Sequence, residues 1–383
     1  MSRKIYVKES ASRPNTAISM DRYICCCCKR CARKREITRH LPPELVFQFL
    51  VLLPAQTLHH VMRRVCREWN LIVHSRDFIH HHLRNSSSGI LIQDLASTCN
   101  VFYVEMRRGC LEMCKLDWGF KELILTSCNG LVLVPDSKFS NNFCLINPLT
   151  KQRTILPPYF DRMGSYFVLV FAEASMEYKV VRVSRQNLGS TARIDVLTIG
   201  VDKVWRSIDL HSVHSTVIPL VSSKMQVTGG YAHWFGKDFI LTFNAETEAV
   251  RGFPRRPKIP KLYEIYVAMG SNLTYFGQSD VFIMHVWEMN LEMGEWMMMF
   301  RLDLKPVCRH LFEDLSWEVK TVTPYGWLEA REVLVLGTRS HQRHCIAYNV
   351  KTREIQSIEF CTKASVHSFQ AHVNSLVGLG GGF

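Results

Sequence analysis

Long hydrophobic runs are missing from this sequence. No stretch approaches the roughly 18–20 uninterrupted apolar residues that a bilayer-spanning helix needs, and the apolar-rich residues 45–53 are far too few. The first 24 residues also lack the apolar segment of a secretory signal peptide. We therefore expect no membrane span. Because nothing indicates an oxidising compartment, we expect the nine cysteines outside residues 25–31 to be reduced and mostly buried as small apolar residues.

Catalytic motifs are missing as well. The sequence has no G-x-S-x-G elbow, no H-E-x-x-H pair and no phosphate-binding P-loop. His80, His81 and His82 are consecutive, and since only residues three or four apart share a helix face, they cannot all bind one metal ion. The glycine-rich residues 378–382 have no helix after them, so they predict a flexible terminus. We expect no catalytic residue, no metal ion and no cofactor.

Acidic residues are scarce near the N-terminus. Residues 1–40 contain eleven Lys or Arg and three acidic residues, so +8 of the net charge of +13 lies there and +5 lies in the other 343 residues. Residues 1–38 show no apolar periodicity, which predicts disorder or only local order. A nucleic-acid-binding face over the whole globular part is not supported, and nucleic acid is an unlikely partner of that part. Nucleic-acid or transcription-linked binding through the basic tail is the alternative function.

The tail contains a cluster of five cysteines, at positions 25–28 and 31, beside the basic residues 29–35. Four adjacent cysteines point in diverging directions and no second pair follows, so a zinc site is the weakest interpretation. The cluster also fits palmitoylation at an anionic membrane surface, and the basic residues fit a nuclear-import signal. A solvated tail without a specific site is the interpretation that we favour.

Residues 39–84 have the pattern of a small helical domain. The proline pair at 42–43 suits the start of a helix, which Pro54 ends. Thr57 suits the start of a second helix that continues to Val65, and a third helical piece follows. A bundle this small cannot bury so many apolar faces alone, so one face should belong to a partner.

Residues 89–378 consist of short apolar runs separated by turn-forming residues, which predicts an all-β domain. Helical periodicity in this region is found only near residues 106–115. The predicted strands include residues 90–92, 123–125, 131–134, 167–171, 180–183, 194–197, 239–243, 281–286, 333–336 and 346–348.

A weak internal repeat runs through the β domain. Each copy has a strand, a polar turn and a second strand, and the turns are marked by Asn147, Gly200, Asn244, Asn290 and Asn349. The markers are 53, 44, 46 and 59 residues apart. A propeller blade needs roughly 40–50 residues for its four strands, so the spacing favours a β-propeller with variable loops over an irregular sandwich.

Two groups of residues in the β domain are candidates for a binding surface. Arg255, Arg256 and Lys258 lie in a basic, proline-rich loop, which is either a patch for an acidic or phosphorylated partner or, as we favour, a solvated loop. Methionines at 289, 293 and 297–299 surround two tryptophans, and they predict either an adaptable binding surface or buried hairpin packing.

The sequence resembles two known families. Leu41-Pro42-Pro43-Glu44-Leu45, Leu53-Pro54 and Val65-Cys66-Arg67-Glu68-Trp69 together resemble an F-box. Ser127-Cys128-Asn129-Gly130-Leu131, Asn147-Pro148-Leu149-Thr150 and Asn374-Ser375-Leu376-Val377 resemble the F-box-associated, kelch-like domain that is abundant in plants. The resemblance covers about residues 40 to 378.

The resemblance implies an α+β multidomain protein, in which a three-helix F-box precedes a propeller-like β domain. It implies the substrate-recognition subunit of a ubiquitin ligase, whose F-box binds a Skp-type adaptor and, through it, a cullin–RING scaffold. The β domain would bind a target protein, and the chain would act without a catalytic group of its own, in the nucleus, the cytoplasm or both. A β-propeller enzyme is the competing class, but the sequence nominates no pair of catalytic groups for it.

The apolar pattern of the helical domain predicts which residues contact the adaptor. Some of them must instead form the core of the small bundle, and Cys66 and Trp69 are expected there. The predicted adaptor-binding residues are Leu41, Pro42, Leu45, Leu50, Pro54, Leu58, Val65 and Trp69.

Overall fold

The structure of the protein is a computed structural model. It describes residues 4–5, 41–116, 120–136, 142–159, 165–186, 191–208, 225–236, 238–255, 263–269, 272–280, 282–307, 322–329, 332–338, 344–359 and 367–379. Most of the basic tail, with its cysteine cluster at 25–31, lies outside the described residues. In the described residues, no helix is both long enough and apolar enough to cross a bilayer.

Four α-helices lie between residues 43 and 85 and form the helical unit. Pro42 and Pro54 are the N-caps of the first two helices, and their carbonyl oxygens accept the first helical hydrogen bonds, at 3.1 Å in both cases. Ser75 caps the last helix, because its hydroxyl accepts a hydrogen bond from the amide of Phe78. The helices are α1 Pro43–Val51, α2 Ala55–His60, α3 Arg67–Val73 and α4 Arg76–Asn85, with a 3-10 turn at Met62–Arg64.

The second helix differs from the prediction. It starts at Ala55 rather than after Thr57, because the extended backbone of Pro54 already provides the first acceptor. It ends at His60, and Val61 is its C-cap, with φ −119° and ψ −63°. The predicted three helices are therefore four shorter ones.

The core of the helical unit is apolar and extends into the β domain. Val46 and Leu50 of α1, Leu58 of α2 and Phe78 of α4 are buried together with Leu376, which lies near the C-terminus. The chain contributes this last residue from almost three hundred positions away, so the helical unit does not complete its own core.

The strands of the described residues form six sheets. In chain order the strands are β1 Lys4–Ile5, β2 Gly89–Asp94, β3 Val101–Arg107, β4 Cys110–Leu116, β5 Thr126–Cys128, β6 Leu131–Pro135, β7 Phe143–Ile146, β8 Arg153–Ile155, β9 Ser165–Ala172, β10 Glu177–Gln186, β11 Thr191–Thr198, β12 Arg206–Ile208, β13 Met225–Thr228, β14 Tyr231–Phe235, β15 Phe239–Asn244, β16 Val250–Pro254, β17 Tyr263–Met269, β18 Asn272–Asp280, β19 Ile283–Met289, β20 Trp296–Asp303, β21 Val322–Leu328, β22 Val333–Thr338, β23 His344–Asn349, β24 Ile355–Glu359 and β25 His367–His372.

The sheets are the blades of a propeller, which confirms the predicted architecture. Blade 1 is β25-β2-β3-β4, and blades 2 to 6 are β5–β8, β9–β12, β13–β16, β17–β20 and β21–β24. The inner strands β25, β5, β9, β13, β17 and β21 contact one another in a closed ring. In blade 1 the C-terminal strand β25 pairs antiparallel with β2, so both ends of the domain close the ring. Strand β1 adds to the outer edge of blade 6, where it pairs with β24.

The cores of the propeller lie between neighbouring blades. Val181 and Ile194 of blade 3, for example, pack against Trp234 and Phe243 of blade 4. Because both faces of a blade are covered, strands such as β2 and β6 are buried almost throughout. This explains why the sequence shows continuous apolar runs there rather than alternation.

The sequence repeat is a turn repeat. Four of its five markers are asparagines at the end of the third strand of a blade or directly after it. Each side-chain oxygen accepts hydrogen bonds from the amides two and three residues ahead. The residue four positions after each asparagine has a positive φ, between 55° and 74°. The fifth marker, Gly200, lies in the corresponding turn of blade 3, which Asp202 closes by accepting from the amide of Thr198 at 2.7 Å.

Three local expectations are corrected. Residues 106–115 are the hairpin of β3 and β4, where a two-residue turn places apolar side chains at spacings that resemble a helix. Residues 123–125 precede β5 instead of forming a strand. Of the described cysteines, Cys144 and Cys345 are buried as expected, but positions 99, 110 and 114 are exposed, the last two on the outer strand of blade 1.

Candidate functional site

An apolar stripe on the helical unit faces solvent. Leu45, Phe49 and Leu52 follow one another at intervals of four and three residues, so they lie on one face of α1. They are 56%, 49% and 77% exposed, and Leu41 beside them is 64% exposed. We call these four residues the helical stripe. Large apolar side chains grouped in this way on so small a unit mark a contact surface.

The structure separates the predicted adaptor-binding residues into three groups. Leu41, Pro42, Leu45 and Pro54 are exposed, and Val65 and Trp69 are partly buried. Leu50 and Leu58 are fully buried in the core of the helical unit, which corrects their assignment, because a partner cannot reach them. Half-buried Trp69 packs against that core as expected.

Sequence reasoning missed several exposed apolar side chains. Phe49 and Leu52 belong to the helical stripe, and Leu71 of α3 is 61% exposed. The ring of Phe49 lies 6.2 Å from that of Trp69, which extends the apolar surface from α1 towards α3. Phe49 and Leu52 could have been identified from the sequence, because they follow Leu45 at helical spacing.

The helical unit also has a face that packs against the propeller. Ile79 and Leu83 of α4 pack against the apolar core between blades 2 and 3. Leu149 of blade 2 packs against the core of the helical unit. On the surface, Arg84 of α4 pairs with Glu173 at 2.6 Å. The helical stripe is therefore held at a fixed position relative to the propeller.

The three motifs that carry the resemblance to the F-box-associated domain meet in space. The side-chain amide of Asn147 donates hydrogen bonds to the carbonyl oxygens of Ser375 and Val377, at 3.0 and 2.8 Å. The Ser375 hydroxyl donates to the carbonyl oxygen of Asn129 at 2.7 Å. Gly130, with φ 81°, leaves the space that the Ser375 side chain occupies. These motifs anchor the C-terminal segment, which in turn carries Leu376 into the helical unit.

The anchoring continues beyond the predicted end of the ordered chain. The amide of Leu379 donates to Gln152 at 2.8 Å, and its carbonyl oxygen accepts from Thr154 at 3.1 Å. The segment after residue 377 is thus bound to blade 2 as far as Leu379. Positions 380–382 of the glycine-rich stretch lie outside the described residues.

The inner strands enclose a central cavity of about 490 Å³. Its wall carries few charges and includes Ser127, Gln226, Thr323 and His367. A space of this size accepts a small molecule or a short peptide loop. The propeller channel is therefore one candidate surface for substrate binding.

One serine–histidine pair at the channel has the composition of a nucleophile with its base. Ser127 Oγ lies 2.7 Å from Nδ1 of His372, and the other hydrogen bond of this ring involves the side chain of Asn374. Complete burial lowers the pKa of His372 to about 3, so its imidazole is too weak a base to activate a serine near neutral pH. The pair is better explained as buried polar packing between blades 1 and 2.

The candidate basic loop is only partly described. Arg255 Nε donates to the Tyr266 hydroxyl at 3.0 Å, and its Nη1 donates to the Gly236 carbonyl at 2.9 Å. These bonds fix Arg255 between blades 4 and 5. Arg256 and Lys258 lie outside the described residues, so substrate binding by this loop stays a prediction.

The methionine cluster divides between the two predicted roles. Met289 is buried, as hairpin packing requires. Positions 293 and 297–299 are 40–68% exposed, and three of them lie on β20, the outer strand of blade 5. Adaptable apolar side chains at the edge of a blade form a second candidate surface for a protein substrate.

The histidine triplet is split by the helix, as its spacing predicts. His82 is buried, and its Nε2 donates to the carbonyl oxygen of Leu53 at 2.8 Å, while His81 is exposed and bonds within α4. Among the described residues, no group of three His, Cys, Asp or Glu side chains is placed to hold a metal ion.

Comparison with known proteins identifies both parts of the chain. Residues 110–377 match the F-box associated beta propeller domain, and residues 38–86 match the F-box-like domain. The solved chain from a crystal structure of a nidogen/laminin complex is 11% identical, with a TM-score of 0.44, and the match covers 75% of this chain and 99% of that one.

Curated relatives come from Arabidopsis thaliana. Putative F-box only protein 15 is 25% identical over 46% of this chain and 49% of its own length, and Putative F-box only protein 10 is 23% identical over 58% of this chain and 59% of its own. The chain thus spans about half the length of these relatives. The propeller match alone covers more than two thirds of the sequence. The chain belongs to the family of F-box proteins that carry an F-box-associated β-propeller domain.

Proposed function

We propose that this chain is the substrate-recognition subunit of a Skp–cullin–F-box ubiquitin ligase. The helical unit binds a Skp-type adaptor through the helical stripe, and the adaptor links the chain to a cullin–RING scaffold. The propeller binds a target protein and promotes its ubiquitination and degradation. The observation that supports this proposal most directly is the helical stripe, because it stays exposed on a unit whose other face is already covered by the propeller.

The energetics of the stripe favour a stable contact. Burying one large apolar side chain yields about 1.5–3 kcal/mol, and the stripe offers four of them side by side. Association costs several kcal/mol in lost freedom, so a cluster is needed where a single residue would fail. Small exposed clusters of this kind act as the central anchors of protein interfaces.

Proximity is the mechanism that this arrangement provides. The propeller holds the target protein, and the packed face between propeller and helical unit keeps it at a set position relative to the scaffold. A target lysine then meets the ubiquitin-charged enzyme at high effective concentration, and this chain contributes no catalytic group. In this role we expect the chain in the nucleus, the cytoplasm or both.

A capture experiment with purified Skp-type adaptor tests the proposal. The test variant combines Leu45→Ala and Phe49→Ala, which shorten two exposed side chains of the stripe. The control combines Val201→Ala and Val204→Ala, which are 65% and 69% exposed on blade 3. We expect wild type and control to bind the adaptor alike, and the test variant to bind at least about tenfold more weakly.

Two results contradict the proposal. In the first, the adaptor binds the stripe variant as tightly as wild type. In the second, the folded wild-type chain does not bind the adaptor at all. Circular dichroism of each variant establishes that the fold is intact, which exposed substitutions of this kind should leave unchanged.

A further inference from the structure

A cleft separates the helical unit from blades 2 and 3. Its volume is about 370 Å³, within the range of small-molecule sites. The wall on one side consists of residues between α2 and α4. The other wall consists of the β9–β10 hairpin, the C-terminal segment and the blade 2 residues Thr150 and Gln152. None of the four stripe residues lines the cleft, and no residue lines both the cleft and the propeller channel, so the three surfaces are distinct.

The helical wall of the cleft carries five basic side chains, two arginines and three histidines. Among the described residues that line the cleft there is no Asp or Glu. The carboxylate of Glu173 influences His80 but is paired with Arg84 on the surface. The basic residues of the wall are His59, Arg63, His74, Arg76 and His80.

The opposite wall is mainly apolar, with Thr150 and Gln152 as its polar members. Tyr178, Leu376 and Val377 are buried beneath it. The rings of Phe171 and Tyr178 lie 4.6 Å apart at a tilt of 41°, which leaves an aromatic surface at the base of the cleft. Met176 completes the rim from the turn between β9 and β10. A flat apolar group would find complementary surface there.

Two observations indicate that the cleft can bind an anion. The Nε of Arg63 is buried, and it has no acceptor among the described residues. A buried guanidinium N–H without an acceptor is costly, so the Arg63 side chain gains a hydrogen bond if it turns towards a ligand oxygen in the cleft. Burial, and after it the positive charge of Arg63, lowers the pKa of His59 to about 4, so Arg63 lies close enough to act on groups in the cleft.

We propose that this cleft binds a small organic anion, a carboxylate or phosphate monoester with an aromatic body. Its charged group pairs with Arg63 and accepts hydrogen bonds from the adjoining histidines. Its aromatic body lies on Phe171 and Tyr178. Both structural units contribute a wall, so an occupied cleft holds the helical unit and the propeller together.

Calorimetric titration of the full chain with phenyl phosphate tests the site. Arg63→Gln is the test variant, and Arg64→Gln is the matched control, because this adjacent arginine is exposed and does not line the cleft. Loss of one charge-assisted hydrogen bond should weaken binding by about 10- to 100-fold in the first variant and leave it unchanged in the second. Benzyl alcohol carries only the aromatic group, and inorganic phosphate carries only the charge, so both should bind more weakly than phenyl phosphate.

Stability without ligand provides a second measurement. Because the Arg63 Nε is unsatisfied, Arg63→Gln should melt at the same temperature as wild type or higher. Should that variant fail to fold, Arg76→Gln replaces it in the titration. The proposal is overturned if phenyl phosphate shows no saturable binding up to about 10 mM, if both arginine variants bind it equally, or if inorganic phosphate binds as tightly. None of these outcomes depends on the adaptor.

Discussion

Substitution of one repeated asparagine should have an effect that its equivalents lack. Asn147 is completely buried, and its amide nitrogen holds two carbonyl oxygens of the C-terminal segment. Asn147→Asp keeps the side-chain oxygen that the turn needs and replaces the donor by an oxygen. The two carbonyl oxygens lose their hydrogen-bond donor and lie beside a negatively charged carboxylate oxygen, which repels them.

The expected loss can be worked from these contacts. Leaving each buried acceptor unsatisfied costs about 1–3 kcal/mol, so the two lost bonds cost about 2–6 kcal/mol. The new carboxyl group is buried beside carbonyl oxygens, which raises its pKa in the folded state. Its protonated form restores one donor, so the deficit should shrink as the pH falls towards the ordinary carboxyl pKa and grow above it.

The repeat supplies matched controls for this measurement. Asn244→Asp and Asn349→Asp make the same change in the equivalent turns, where each side-chain oxygen accepts the same pair of amide bonds. Both residues are only partly buried, so water can solvate a carboxylate there, and we expect losses within about 0.5 kcal/mol.

Urea unfolding of each full-chain variant, followed by tryptophan fluorescence, measures these differences. Limited proteolysis reports separately on the C-terminal segment, which should be cut faster only in Asn147→Asp. Equal losses in all three variants would refute the reasoning, because they would show that the turn, and not the C-terminal anchor, sets the cost.

Three further predictions concern stability. Leu58→Ala should cost about 2–5 kcal/mol and loosen the helical unit, whereas Leu45→Ala should cost less than about 0.5 kcal/mol, and the two unfolding curves decide this. Glu248, whose pKa is lowered to about 2 chiefly by hydrogen bonds from a neighbouring arginine, stabilises the fold above its unfolded pKa. Glu248→Gln should therefore lower stability at pH 7. The difference in urea midpoint between variant and wild type should narrow below about pH 4.5, and a difference that stays constant with pH contradicts this. Gly130→Ala should cost more than about 2 kcal/mol in thermal unfolding, because a methyl group meets the C-terminal segment, whereas Gly109→Ala, with φ 75° and open space, should bear only the cost of its backbone conformation.

Local signals in the sequence predicted much of the fold. Pro54 ended the first helix, and the asparagine turns marked the blades, because each of these effects depends on residues a few positions apart. The same locality explains the errors. Residues 106–115 have helix-like spacing, but pairing of two strands across a tight turn buries their apolar side chains more completely than a lone helix would.

The candidate contact surface was predictable only in part. The sequence indicates that α1 carries more apolar side chains than a small bundle can bury. It does not indicate that Leu50 points inward while Leu52 points outward, because that depends on where α4 and the C-terminal segment pack. The cleft at Arg63 was not predicted at all, since its two walls are far apart in the sequence.

The sequence by itself determined a helical unit with surplus apolar surface, a β domain of repeated blades and the turns between their outer strands. Tertiary structure alone decided which of the equivalent turn asparagines anchors the C-terminal segment. Asn147 and Asn349 occupy equivalent turns of blades 2 and 6. Only Asn147 contacts the C-terminal segment, because β25 returns to pair with β2 and brings that segment alongside blade 2. A contact between residues more than two hundred positions apart depends on closure of the whole ring, which no local pattern encodes.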